Sequence, residues 1–186
     1  LPLCSNPHMH LLEASLAWEE AASSDNRVLR ELSDEIVALC LDRFIDAETG
    51  ALREFFDGDW MPYPDERGRI VEPGHQFEWA WLLLRWGQAR NEKKVLDVAT
   101  RLYAIADNHG ICPVRQAAVM QLRDDFSHLD PSCRLWAQTE WLKAALALAA
   151  VSDGDNKTKY LHDATRAVSC LRRFLDDVPT KGLWRD

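Results

Sequence analysis

Histidine and glutamate stand at the start of three otherwise apolar stretches of the sequence. The first stretch has His10 three residues before Glu13. The second repeats this spacing with His75 and Glu78, and the third begins near Glu140. Residues three apart share a helix face, and a carboxylate beside an imidazole raises the pKa of the histidine and fixes its tautomer. If the three helix starts converge, we therefore expect a site suited to proton transfer.

These residues also have simpler interpretations. A single histidine–glutamate pair at this spacing is more often a local ion pair than a catalytic dyad, whereas three polar helix starts in one register fit a functional and a structural role equally well. His8 and His10 suggest a metal, but an i, i+2 pair points to different helix faces and no thiolate assists. We predict no metal and no cofactor. The remaining histidines lie in polar surroundings and are predicted to be solvated: His109, His128 and His162.

The three stretches recur at a nearly constant interval. Glu13 and Glu78 are 65 residues apart, and Glu78 and Glu140 are 62 apart. An interval of this kind indicates a structural repeat. Each stretch begins a predicted helix, at 10–23, 75–89 and 137–151. Each helix is followed by a predicted amphipathic partner helix, at 25–44, 91–108 and 156–175.

The first helix of each repeat differs from its partner in polarity. Residues 79–86 leave almost no polar face, which predicts a helix buried on all sides, whereas Arg27 and Glu31 give a partner helix a face toward water. The sequence predicts an all-α fold of three helical hairpins, with inner helices ringed by outer ones, in a single partial domain over 1–186. Such hairpins form an open arc, so we expect part of a larger barrel or one that a partner completes.

Two long connections separate the repeats. Residues 46–73 and 110–131 are rich in turn-forming glycine and proline, and loops of this size are usually functional. Residues 55–60 are predicted to form a short hairpin. The chain begins with Leu1 instead of an initiator methionine and stops after Asp186 as in the middle of a turn, so we expect a fragment truncated at both ends.

Composition excludes several classes of partner. The net charge is −8 and the pI is about 5.2, which disfavours nucleic acid and anionic membrane surfaces. No apolar run approaches the ~20 residues of a membrane span. The five cysteines are scattered without a CxxC motif, which argues against a disulfide framework and a thiolate zinc site and favours a reducing cytoplasm.

Three segments carry a family resemblance. They read Asn-Pro-His-Met-His-Leu-Leu-Glu-Ala at 6–14, Glu-Pro-Gly-His-Gln-Phe-Glu-Trp-Ala-Trp at 72–81, and Arg-Leu-Trp-Ala-Gln-Thr-Glu-Trp at 134–141. In order and spacing the sequence resembles the N-acylglucosamine 2-epimerase family, which includes mannose isomerases, sulfoquinovose isomerases and cellobiose 2-epimerases. The three segments together span nearly the whole chain.

The resemblance implies about half of an (α/α)6 barrel whose mouth binds a monosaccharide. Asn6 and His10 would bind the sugar near C1 and C2. His75 would be one of two acid/base histidines, oriented by Glu78. The other substrate contacts that the resemblance implies are Trp81, Trp136 and Glu140.

Two groups of the family site have no counterpart in the sequence. The second acid/base histidine is expected beyond Asp186, and a substrate-binding arginine before Leu1. An arc with open edges also makes a homo-oligomer possible.

The reaction that the resemblance implies passes through a cis-enediolate. Reprotonation at C1 gives an aldose–ketose isomerase, and reprotonation at the opposite face of C2 gives an epimerase. The segment at 72–81 resembles mannose isomerases, so mannose–fructose interconversion is the leading hypothesis. The alternatives are an N-acylglucosamine 2-epimerase, a glycoside hydrolase or lyase that uses Glu78 and Glu140 as paired carboxylates, and an inactive sugar-binding fragment.

Overall fold

Three helical hairpins account for most of the fold. The computed structural model describes residues 1–21, 26–176 and 178–186. Helix α2 runs on into a π-helical turn, Cys40–Phe44. The six α-helices are α1 (Ser5–Ala21), α2 (Arg27–Leu39), α3 (Pro73–Arg90), α4 (Val95–Gly110), α5 (Leu135–Val151) and α6 (Gly154–Asp176). Each odd-numbered helix packs against the even-numbered helix that follows it, which confirms the predicted all-α fold of three hairpins.

The odd-numbered helices form the inner layer. Helix α3 lies between α1 and α5 and contacts both. Eight consecutive residues at its start, 73–80, are buried, as expected for a helix that has neighbours on every side. The outer helix α4 instead buries one stripe, with Leu102 and Tyr103 inside and Arg101 exposed.

The helix boundaries follow local sequence signals. Helix α3 begins with Pro73 at its first turn, where a missing N–H is tolerated. It ends at Arg90 and is capped by Asn91, whose left-handed backbone (φ 56°) accommodates the chain reversal into α4. Helix α1 begins at Ser5, five residues before the predicted start, so Asn6 belongs to the helix as well as His10. The predicted end of this helix at residue 23 lies outside the described residues.

Short antiparallel strands in the connections lie next to the starts of the inner helices. They are β1 (Leu3–Cys4), β2 (Phe55–Phe56), β3 (Ile70–Val71), β4 (Ile111–Cys112), β5 (Ala117–Ala118), β6 (Gln121–Arg123) and β7 (His128–Asp130). Strand β1 pairs with β2, β4 with β5, and β6 lies between β3 and β7. The predicted hairpin near 55–60 is present as a tight turn after β2, closed by a bridge between Phe56 and Pro62.

Arg53 ties the two long connections together. Its guanidinium lies 3.0 Å from Asp46 and 3.0 Å from Asp124, and it donates to the carbonyl of Gly68 at 2.8 Å. The side chain is 13 % exposed, so these bonds are largely shielded from water. The network fixes the backbone on which the next residue, Glu54, stands.

Two further predictions concern the whole chain. Within the described ranges, no helix combines the length and apolar character that a membrane crossing needs. All five cysteines are free, as the absence of a disulfide framework predicts.

Candidate active site

The amino ends of the three inner helices surround one cavity of about 900 Å³. We call it the mouth cavity. Six of the seven predicted site residues line it: Asn6, His10, His75, Glu78, Trp136 and Glu140. The expected convergence of the helix starts is therefore present. The cavity wall also contains Glu54, Glu72, Met120, Arg134 and Lys143, which the sequence patterns did not single out.

His75 is held at both ring nitrogens. Its Nδ1 lies 2.9 Å from Glu54 Oε2 and 3.4 Å from Glu72 Oε2, while its Nε2 lies 3.3 Å from the Asn6 side-chain amide. The ring is buried beside the Trp136 indole, with the ring centres 5.1 Å apart. Because Nδ1 faces carboxylates, Nε2 is the nitrogen available for proton exchange at the cavity.

The orienting carboxylate is a correction to the sequence interpretation, which gave that role to Glu78. Side chains on a helix lean toward its amino end. His75 therefore meets Glu72, one turn earlier, and Glu54 in the preceding connection. Glu54 escaped notice because it stands in a loop without a period. The signal that could have found it is a carboxylate directly before the apolar pair Phe55 and Phe56, ahead of the helix that carries His75.

Three carboxylates set the charge of His75. Burial alone would lower the pKa of His75, but Glu54, Glu72 and Glu78 outweigh burial and raise it to about 9. His75 is consequently an imidazolium at neutral pH and enters a reaction as a proton donor. Burial and the negative charge of Glu54 in turn raise the pKa of Glu72.

Glu78 pairs with a different histidine. Its Oε1 lies 3.7 Å from Nδ1 of His10, across the gap between α3 and α1. Burial raises the pKa of Glu78 to about 7, the charge of Glu140 adds to the shift, and His75 and Lys143 oppose it. A carboxyl group with this pKa can give or take a proton near neutral pH.

Glu140 is anchored from two sides. The Trp81 indole donates to Glu140 Oε2 at 2.9 Å, and Lys143 Nζ lies 2.8 Å from the same carboxylate. Lys143 also lies 4.3 Å from the centre of the Trp81 ring, a cation–π distance. Trp81 is the one predicted site residue outside the cavity wall, and its contact here supports Glu140. Its direct packing on a sugar stays a prediction.

Gly74 explains part of the Glu-Pro-Gly-His segment. A side-chain carbon at Gly74 would lie 2.5 Å from the Trp136 ring. Only glycine leaves room for this ring at the start of α3, next to His75. The close approach of α3 and α5 therefore places an aromatic face in the cavity wall, where it can pack on a sugar ring.

Among the described residues, His10, Glu13 and Glu78 form a group of side chains that could hold a metal ion. Their ligand atoms lie within 4.8 Å of one another, and imidazole with carboxylates suits a divalent cation. Lys143, 3.8 Å from Glu13, opposes a cation there by charge repulsion. His8 lies outside this group because its Nδ1 contacts the carbonyl of Cys4 at 3.0 Å. The predicted absence of a metal stays a prediction.

Comparisons with known proteins give related names. The family model for N-acylglucosamine 2-epimerase (GlcNAc 2-epimerase) matches residues 1–186. A protein of Rhizobium meliloti (strain 1021) named mannose-6-phosphate isomerase is 58 % identical over 186 residues, which are 100 % of this chain and 48 % of the relative. A cellobiose 2-epimerase of Bacteroides fragilis is 25 % identical over 96 % of this chain and 44 % of its own.

Solved structures agree on the fold. A crystal structure of D-mannose isomerase superposes with a TM-score of 0.84 at 22 % identity, covering 98 % of this chain and 46 % of that protein. At this identity the likeness shows the fold alone. The chain spans about half the length of the relatives it matches.

Proposed function

The chain belongs to the N-acylglucosamine 2-epimerase family, and we propose that the protein is a sugar isomerase of the mannose–fructose type, which moves a proton between C2 and C1 of an aldose. The observation that carries this proposal is the contact of His75 with the mouth cavity. A buried histidine presents Nε2 to the cavity while carboxylates hold its Nδ1. Such an arrangement supplies and recovers a proton at one fixed point.

In the proposed reaction the open-chain sugar lies in the mouth cavity. Its carbonyl acidifies the neighbouring C–H, and the second acid/base histidine, which we place outside residues 1–186, takes the C2 proton to give a cis-enediolate. His75, protonated at rest, donates from Nε2 to the negative oxygen that develops at C1. The neutral His75 then takes the O2 proton while the second histidine returns its proton to C1, so both groups end as they began. Asn6 and His10 bind near C1 and C2, and the charged end of Lys143 favours the negative oxygen of the intermediate.

The remaining roles follow from position. Glu78 pairs with His10 and exchanges a proton near neutrality, while Trp136 packs on the sugar ring. Glu140, held by Trp81, accepts hydrogen bonds from sugar hydroxyls. The two-base mechanism needs a second acid/base histidine. We place it outside residues 1–186, since His10 has a side chain that is 59 % exposed, whereas His75 is buried.

The charges of the cavity favour an unphosphorylated sugar. Five glutamates line it, and its two strong cations are already paired, Lys143 with Glu140 and Arg134 with Asp186. A sugar phosphate would meet net negative charge at this wall. We therefore propose mannose as the substrate and not its 6-phosphate, although one relative carries the name mannose-6-phosphate isomerase.

Product analysis tests the proposal. The full-length protein is incubated with mannose, mannose 6-phosphate, N-acetylglucosamine and a mannoside, and the products are separated by chromatography and mass. We expect fructose from mannose at unchanged mass, with little turnover of the other three compounds. If N-acetylglucosamine is epimerised instead, the protein is a 2-epimerase and the isomerase proposal is wrong. A cleaved mannoside would favour a hydrolase that uses Glu78 and Glu140.

Location and assembly are part of the same proposal. Five free cysteines suit a reducing cytoplasm. Leu11 and Trp18 on α1 and Leu146 on α5 are exposed apolar side chains on the inner helices that flank α3. Further barrel helices or a second copy of the chain would cover them. Light scattering of the full-length protein distinguishes a monomer from a homo-oligomer.

A further inference from the structure

Glu54 is a buried carboxylate with an unusual set of partners. Its Oε2 accepts from Ser5 Oγ at 3.0 Å and lies 2.9 Å from His75 Nδ1. Its Oε1 is buried without a hydrogen-bond partner among the described residues. The residue is 3 % exposed, so water does not solvate the charge. An ionised group in such surroundings is costly unless a cation lies against it.

His75 supplies that cation. When both ring nitrogens of His75 carry a proton, Nδ1–H donates to Glu54, and the positively charged ring lies against the buried carboxylate. The pair then contains one positive and one negative charge in a buried place. Loss of the His75 proton would leave the Glu54 charge poorly compensated, so the carboxylate favours the protonated form of His75.

The hydrogen bond between Glu54 and Nδ1 also determines which ring nitrogen of His75 exchanges a proton with the sugar. When His75 gives up a proton, Nδ1–H stays with Glu54 and the proton leaves from Nε2. Asn6 fits both states, because the oxygen and nitrogen of its amide exchange places by a flip. In the structure its nitrogen lies 3.3 Å from Nε2, where it donates to a ring nitrogen without a proton. With the amide turned over, its oxygen would accept from a protonated Nε2.

Comparison of the α3 and α5 hairpins distinguishes a role of Glu54 in the chemistry of His75 from a role in the fold. Gln76 on α3 bonds both backbone groups of Leu52, and Gln138 on α5 bonds both backbone groups of Ala118. Two residues after the bonded residue, the first connection carries Glu54 and the second carries Met120. The α5 hairpin thus folds with methionine at the place of the glutamate. It also has Ala137 where α3 has His75, so the carboxylate accompanies the histidine.

We propose that Glu54 is the positioning residue of His75, which keeps the ring in the Nδ1–H state and reserves Nε2 for proton exchange with the sugar. The proposal deepens the proposed function and rests on it for the identity of the sugar. Glu54 touches His75 and acts through it.

Other charges also face His75 and set the controls. Glu72 lies before α3, Glu78 stands on α3, and His10 on α1 and Glu140 and Lys143 on α5 line the same cavity. Glu72 is the closest of them, at 3.4 Å from Nδ1, and it also accepts from Gln121. Glu72→Gln is therefore the matched control for Glu54→Gln, since each change removes one negative charge beside the ring.

The experiment combines an NMR titration with kinetics on the full-length protein. Histidine labelled at ring carbon and nitrogen reports protonation and tautomer, and the His75 signals are assigned by their loss in His75→Gln. In the wild type we expect the neutral ring as the Nδ1–H tautomer. In Glu54→Gln the titration midpoint should fall by more than about one pH unit. The fall in Glu72→Gln should be smaller.

The kinetic arm uses mannose as substrate. Glu54→Gln should lower kcat roughly 10- to 100-fold with KM little changed, because the variant binds sugar but misplaces the proton. A wild-type ring in the Nε2–H tautomer would overturn the proposal, and this reading does not depend on a variant that folds. An unchanged midpoint in Glu54→Gln would overturn it too. A protein that isomerises no sugar but shows the predicted titration would refute the proposed function and leave the Glu54 pairing intact.

Discussion

The α3 and α5 hairpins share a hydrogen-bonded bridge from a glutamine side chain to the backbone, but only the α3 hairpin has a charged pair beside this bridge. Gln76 holds Leu52 with bonds of 2.9 and 2.8 Å, and Gln138 holds Ala118 with bonds of 2.8 and 2.9 Å. Each glutamine ties the start of an inner helix to the connection that precedes it. The same pair of bonds at two places in the repeat indicates that this bridge belongs to the fold.

The difference lies at two positions beside the bridge. Where the α3 hairpin has Glu54 and His75, the α5 hairpin has Met120 and Ala137, and all of these but Ala137 line the mouth cavity. The repeated fold therefore accepts a charged pair or an apolar pair at the same place. The comparison teaches that the chemistry of this site depends on few residues, which a common scaffold holds.

Replacement of the charged pair by the apolar pair should give the largest effect. The double variant Glu54→Met/His75→Ala is expected to lose mannose isomerisation by at least about 10²-fold, since the acid/base group is gone. Its free energy of unfolding should stay level or rise, because a buried ion pair replaced by apolar side chains is often neutral or stabilising. Activity assays and urea unfolding measure the two quantities.

The single variant His75→Ala is the control for this pair. It leaves the Glu54 carboxylate buried without its cation and should destabilise by about 3 kcal/mol. If the double variant is as unstable as His75→Ala, the charged pair of Glu54 and His75 is needed for the stability of the fold. That result would contradict the comparison of the two hairpins.

Loss of either glutamine bridge should cost similar stability. Gln76→Leu and Gln138→Leu each leave a buried N–H and a buried C=O without partners, and we expect about 2 to 3 kcal/mol from each by urea unfolding. Gln76→Leu should also lower the isomerisation rate more than Gln138→Leu, because it releases the connection that carries Glu54. Equal rates in the two variants would speak against the division of roles.

The contact between the two hairpins at Gly74 should give a somewhat smaller effect. Gly74→Ala places a carbon 2.5 Å from the Trp136 ring and should destabilise by about 1 to 3 kcal/mol, because the indole must move. Gly58→Ala is the matched control, since nothing lies within 4 Å of its added carbon. Thermal melts of the two variants that coincide would contradict the packing described here.

The last effect depends on pH and concerns the charge of Glu78. Its pKa is raised from 4.5 to about 7, so the fold favours the protonated form, and stability falls as the pH rises through this window. Glu78→Gln removes that loss and should be more stable than the wild type by at most about 3 kcal/mol at pH 8, the full pKa shift at about 1.36 kcal/mol per pH unit, with the difference shrinking at pH 4. Glu13→Gln, at the corresponding place on α1, is the control in the same unfolding series.

The sequence predicted the helical hairpins of the fold better than it predicted the side-chain contacts of the site. Apolar runs of helical period and the glutamate repeat predicted the hairpins and the shared cavity, because burial of such faces leaves few arrangements. The spacing of His75 and Glu78 predicted a common helix face but the wrong partner. Spacing along one helix gives no information about the preceding connection, where Glu54 lies, or about the neighbouring helix, where His10 lies.

The direction of single side chains was equally beyond the sequence. Trp81 and Trp136 both stand near polar residues, and either could have faced the cavity. Only Trp136 lines it, because Gly74 leaves room for its ring, while the Trp81 indole turns to Glu140. Lys143 has no sequence signal of its own, and only the packing of α5 places it beside two carboxylates.

Exchange of the C2 proton of mannose in deuterated water tests the central claim most directly. The full-length wild-type protein should incorporate deuterium at this carbon, followed by NMR. His75→Gln should abolish the exchange while the folded state persists in circular dichroism, and Ala137→Ser, at the corresponding place on α5, should retain it. Deuterium incorporation that continues in His75→Gln at the wild-type rate would contradict the account.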